Sequence, residues 1–161
     1  MNLRVTDINV LVKESVGALL SVMDRNGGLR TALAREELKV LLDPVQMGDD
    51  LAALLSSAYI TSAKGAVITV GTRFLPIRAV PGNENGDKIS GCALLYVDLD
   101  ASETDDRSGT CGSRLSSAFQ SFLGIVKKIN GCARVLSGRG KGERLNIYLP
   151  VYRQNLVFSA V

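Results

Sequence analysis

The chain alternates amphipathic helices with pairs of short strands, three times over, and that rhythm narrows its architecture more than any other feature. Residues 7–23 carry Ile8, Leu11, Val12, Leu19 and Val22 near a 3.6-residue period, which predicts a helix with one apolar face. Thr6 or Asp7 caps its start, and Asn26-Gly27-Gly28 ends it. Two short strands, Leu29–Leu33 and Leu38–Leu42, follow. Asp43-Pro44 opens a second helix that runs to about Ser62, because an N-cap residue followed by proline suits a first helical turn. Leu51, Leu54, Leu55 and Ala58 lie on one face of it.

Val67–Leu75 and Ser90–Leu99 read as strands, joined by a hairpin loop at Pro81–Lys88 that holds Gly82, Asn83, Asn85 and Gly86. Asp100–Ser113 is polar, small and without periodicity, and is expected to be the most mobile internal segment. A third helix spans about Arg114–Ile129, with Leu115, Ala118, Phe119, Phe122, Leu123 and Val126 on one face. Cys132–Ser137 and Arg144–Pro150 then form a hairpin around Gly138–Gly142. Helices that must each bury one stripe, separated by strand pairs, predict an α/β (α+β) two-layer sandwich. Three main helices pack on one face of a mixed, mostly antiparallel sheet, over a core that includes Leu11, Leu54, Leu55, Val70, Phe122, Val126 and Ile147.

A chain of 161 residues that is 46% hydrophobic and 22% charged is enough for one domain with a sizeable core. No uncharged apolar run is long enough to span a bilayer, and no signal peptide opens the sequence, so a cytoplasmic location is expected. Cys92, Cys111 and Cys132 form no C-x-x-C pair and read as reduced thiols. Histidine is absent, which excludes Ser-His-Asp triads, Cys-His dyads, His-ligated metals and a phosphate-accepting histidine within this sequence. The net charge of +3 is uneven. Seven basic residues and one acidic residue, Glu143, fall between Lys127 and Arg153, while Asp98–Asp106 holds five acidic residues. Nucleic acid is not an expected partner, because aromatic content is 5% and no binding motif accompanies the charge.

The last third carries a recognisable pattern. Gly124-Ile-Val-Lys-Lys-Ile-Asn-Gly131 leads into Cys-Ala-Arg-Val-Leu-Ser137. Gly-Arg-Gly140-Lys-Gly142-Glu-Arg-Leu-Asn-Ile-Tyr-Leu-Pro150 follows. This resembles the closing helix and hairpin of the ATP-binding domain of bacterial sensor histidine kinases, with Gly140, Gly142, Leu145, Ile147, Leu149 and Pro150 in register. Only a threonine is replaced, by Glu143. Upstream, Thr6-Asp7-Ile8-Asn9 resembles the family's opening motif, and Asp43-Pro44-Val45-Gln46 the start of its asparagine-bearing helix. The resemblance covers essentially the whole chain, as residues 1–150 with a tail at 151–161.

The resemblance also implies where nucleotide chemistry would sit, and there the residues depart from the family. Two polar residues four apart on the second helix share a face; in the family one positions the reaction and the other, an asparagine, binds magnesium. Here they are Ala53 and Ser57. The family's adenine-binding aspartate matches Asp98, with Asp100 as the competitor, and neither is followed by the glycines the family uses. The glycines whose backbone amides cradle phosphate are replaced by Arg114, Ser116 and Ala118. Gly140 and Gly142 are kept, but a tight hairpin needs residues at positive φ for its own sake.

The resemblance therefore implies a degenerate, catalytically silent module for interaction or regulation in two-component signalling, with no cofactor. Its expected partners are a response regulator receiver domain or kinase dimerisation helices. Histidine phosphotransferases with degenerate ATP-like domains set a precedent. The alternative is a divergent but active kinase domain, with Mg-ATP held by Ser57, Asp98, Asp100, Gly140 and Gly142.

Overall fold

The computed structural model describes residues 2–22, 28–61, 66–76, 91–99, 113–137 and 142–152, the side chains of Thr61, 113–118 and Ser137 excepted. The elements in order are β1 (Arg4–Asp7), α1 (Ile8–Val22), β2 (Leu29–Ala32), β3 (Lys39–Leu42) and α2 (Pro44–Thr61). Then come β4 (Ile68–Pro76), β5 (Gly91–Leu99), α3 (Ser113–Lys128), β6 (Cys132–Ser137) and β7 (Glu143–Pro150). Each expected helix and strand is present within about two residues of its reading. The loops expected at 81–88 and 100–113 lie, but for Ser113, outside the described residues.

Helix ends follow their capping residues. The Asp7 carboxylate accepts the Asn9 N–H at 3.0 Å and the Leu38 N–H at 3.2 Å, so one cap also fixes the chain leading into β3. Asp43 accepts the Val45 and Gln46 amides at 3.1 and 3.2 Å, and its second oxygen takes the Asn2 N–H at 2.9 Å. These donors hold its carboxyl below the usual carboxylate range. At the far end of α3, Asn130 adopts φ 62° and the Gly131 N–H returns to the Val126 carbonyl at 2.9 Å. This left-handed turn satisfies carbonyls that the last helical turn leaves open.

Five strands form the main sheet in the order β2-β4-β5-β7-β6, with only β2 and β4 parallel. Its long central ladders pair Ile68 with Leu99, Val70 with Val97 and Leu95 with Ile147. Side chains alternate across a strand, so Val70, Leu95, Val97, Leu145, Ile147 and Leu149 share the face covered by the helices. There they join Leu11, Leu51, Leu54, Leu55, Phe122 and Val126 in one core. All seven expected core residues are buried. Val22, counted on the apolar face of α1, is instead 78% exposed at the helix end. A small sheet pairs β1 with β3, antiparallel, Val5 opposite Leu41. β1 was not foreseen from the sequence. Tyr152, beyond β7, donates its N–H to the Lys39 carbonyl of the same small sheet at 2.7 Å.

One buried polar knot ties α1, the β2–β3 connection and β4 together. The Asn9 side-chain amide donates to the carbonyls of Ala34 (3.2 Å) and Glu36 (2.9 Å). Its carbonyl oxygen accepts the Thr72 hydroxyl, which in turn accepts the Ala34 N–H at 2.8 Å. Buried polar groups cost little only when bonded in this way.

Candidate functional site

The two positions read as the family's polar pair lie on α2. Ala53 is exposed and Ser57 is half-buried, one turn apart on the same side of the helix. Alanine offers no ligand atom there. Gly142 has φ 76°, a backbone conformation that favours glycine. The hairpin thus has its own use for that residue. Asp100 and Gly140 lie outside the described residues, as do the side chains of Arg114, Ser116 and Ala118.

Asp98 sits near the end of β5, on the face turned away from the helices. Its neighbours Val97 and Leu99 are buried in the core, 0% and 2% exposed, so alternation sends Asp98 outward. There it stands opposite Arg144 of β7, with a guanidinium nitrogen 3.6 Å from its carboxylate. The same guanidinium lies 4.2 Å over the Tyr96 ring centroid, within range of a cation–π attraction. Tyr96 in turn lies flat across Gly71, its partner on β4; a Cβ at Gly71 would overlap the ring. Glycine is therefore required at that strand position so that the tyrosine can close over it.

The inward position at this end of the sheet is held by Glu143. It pairs with Leu99 on one side and Ser137 on the other, is 2% exposed, and has both carboxylate oxygens buried. Sequence reasoning placed Glu143 at the family's threonine but began the strand one residue later and did not foresee its burial. The signal was present: Glu143, Leu145, Ile147 and Leu149 continue one alternation. On the outer face, burial, followed by the nearby Cys132 thiol, pushes the Cys92 thiol up to about 11. Among the described residues no cluster of three or more His, Cys, Asp or Glu is placed to hold a metal ion. No helix among them is long and apolar enough to cross a membrane.

This arrangement of helices and strands is that of the ATP-binding domain of sensor histidine kinases. The catalytic domain of histidine kinase ThkA superposes with a TM-score of 0.67 at 12% identity, covering 94% of this chain and 98% of that one. The ATP-binding domain of PrrB from Mycobacterium tuberculosis matches at 0.63 and 13% identity, over 95% of this chain and all of its own. The histidine kinase domain of the Escherichia coli osmosensor EnvZ matches at 0.59 and 16% identity, over 96% and 92%. Identities this low establish a shared fold. No family sequence profile and no curated protein sequence matches the chain.

Proposed function

We propose that this domain is a degenerate histidine kinase ATP-binding-like module, catalytically silent, that serves interaction or regulation in two-component signal transduction. The observation that carries the reading is the direction of Asp98. In this reading the base would lie against the helix side of the sheet, so an aspartate that accepts its amino group would have to face that way. Asp98 faces away and is engaged by Arg144, and its helix-side neighbours are Val97 and Leu99.

Two further features support this. Ala53 and Ser57 supply no carboxamide for magnesium. Glu143 is buried on the helix side of the sheet at the position where the family has a threonine. The residues present therefore fit Mg-ATP poorly. A fold kept without the nucleotide contacts is suited to presenting surfaces, and the partners that match it are a receiver domain of a response regulator or the dimerisation helices of a kinase. The reading places the domain in the cytoplasm and gives it no nucleic-acid partner.

Titration with a fluorescent ATP analogue, with and without magnesium, tests the reading. No saturable, magnesium-dependent binding is expected at micromolar concentrations. Binding that saturates there would overturn it and favour a divergent, active kinase domain.

A further inference from the structure

The helical layer has a concavity of its own, along the seam between α1 and α2. This groove has a volume of about 390 Å³. Its floor is built of small residues, Ser15 and Ala18 of α1 and Gly48 and Ala52 of α2. The two helices approach closely there, with the Ser15 hydroxyl donating to the Gly48 carbonyl at 3.4 Å. Val10 and Val45 rise on either side, 47% and 72% exposed. Large apolar groups left in water on two adjacent helices, beside a shallow floor of small residues, make a surface on which another apolar face can settle.

The charge of the groove is one-sided. Among the described residues Glu14 and Asp49 line it and no lysine or arginine does, although the chain carries a net charge of +3. Among the described residues neither carboxylate has an ion-pair partner. The local negative field is felt next door: burial, and then the Asp49 charge, push the Asp50 carboxyl above its ordinary value.

We infer that this groove docks an amphipathic helix of a partner protein, one whose apolar face is flanked by lysine or arginine. The inference deepens, and rests on, the reading of the domain as an interaction module. Small floor residues let a helix backbone come close, and its apolar residues spaced three and four apart seat between Val10 and Val45. Glu14 and Asp49 then choose the sign of the flanks, because a charge placed beside an unpaired like charge is penalised at an interface. A second copy of this chain is a poor occupant. α1, α2 and α3 each commit their buried apolar faces to their own core, so no described helix has such a face free to offer.

The test uses the whole chain, isotopically labelled, and two synthetic helical peptides of about five turns. Both carry leucine at alternating third and fourth positions; one has lysine on the flanks and its twin has glutamate. The lysine peptide is expected to bind saturably, with amide shift changes centred on Val10, Glu14, Val45 and Asp49, and the glutamate twin is not. Reversing both charges, Glu14→Lys with Asp49→Lys, should weaken binding by about tenfold or more. Ala18→Leu fills the floor from an exposed position and should weaken it to a similar degree, with circular dichroism unchanged. Equal binding of the two peptides, shift changes elsewhere, no binding, or a dimer dispersed by Ala18→Leu would each overturn the inference. Nucleotide titration of the same sample reports separately on catalytic silence, so failure of one reading is distinguishable from failure of the other.

Discussion

Thr72→Val is a near-isosteric change that tests whether the polar knot under α1 stabilises the fold through its hydroxyl. The side chain is 5% exposed. Its hydroxyl donates to Asn9 and accepts the Ala34 N–H at 2.8 Å, so valine leaves one acceptor and one donor unpaired. Each such group costs about 1–3 kcal/mol. Asn9 is itself 8% exposed and Ala34 is half-buried, so water relieves part of that cost and the lower end applies. The extra buried methyl returns at most about 0.8 kcal/mol. The net loss is about 1.2–3 kcal/mol, which with a urea slope near 2 kcal/mol per molar moves the midpoint down by about 0.6–1.5 M. Thr72→Ser keeps the hydroxyl and should lose only about 1 kcal/mol. The decisive measurement is a cycle of urea unfolding curves that combines Thr72→Val with Asn9→Ala. Once Asn9 no longer presents an acceptor, the valine leaves one group unpaired instead of two, so the coupling should be at least about 0.5 kcal/mol. Strict additivity, or a valine variant as stable as the parent, would refute the reasoning.

Other outcomes are expected. Ser57→Asn alone should not create magnesium-dependent ATP binding, as read by analogue fluorescence, because Ala53, Asp98 and Glu143 are unchanged. Gly71→Ala should lower the melting temperature, with a cost of about 1–3 kcal/mol from overpacking against Tyr96; the same change in a Tyr96→Ala background should cost clearly less. For Asp43 the folded value lies below the unfolded one of roughly 3.9. The stability it contributes is therefore complete above the unfolded value and lost as pH falls through the folded one. The gap in urea midpoint between the parent and Asp43→Ala should be wide at neutral pH and shrink on acidification below about pH 4. Alkylation at pH 8, followed by peptide mass spectrometry, should label half-buried Cys132 before Cys92, whose thiol is buried and poorly ionised.

The helices and the long strands were legible because their apolar residues recur at a fixed period, which depends only on neighbours along the chain. Leu51, Leu54, Leu55 and Ala58 mark the buried side of α2 without any knowledge of what covers it. β1 was not legible for the opposite reason. Arg4–Asp7 carries no run of strand formers, and Val5 is exposed; it is a strand because β3 lies beside it. That pairing spans more than thirty residues of sequence and leaves no local trace. At the candidate site, matching positions to the family's motifs located Asp98, but its direction belongs to the pleat. Val97 and Leu99 already implied that the residue between them faces out. Glu143 shows the same limit, since a shift of one residue in the start of a strand exchanges buried for exposed.

The small sheet has a mechanical consequence. β3 is held along β1 by the opening residues of the fold and bonded at Lys39 by Tyr152, just past its last strand. The two ends of the described chain thus grip the same four-residue strand, and tension applied between them is carried first through that strand. The hydrogen bonds of the small sheet would part before strain reached the central ladders of β4, β5 and β7. Under load the domain would therefore yield at this clasp while its five-stranded sheet and the helices over it kept their shape.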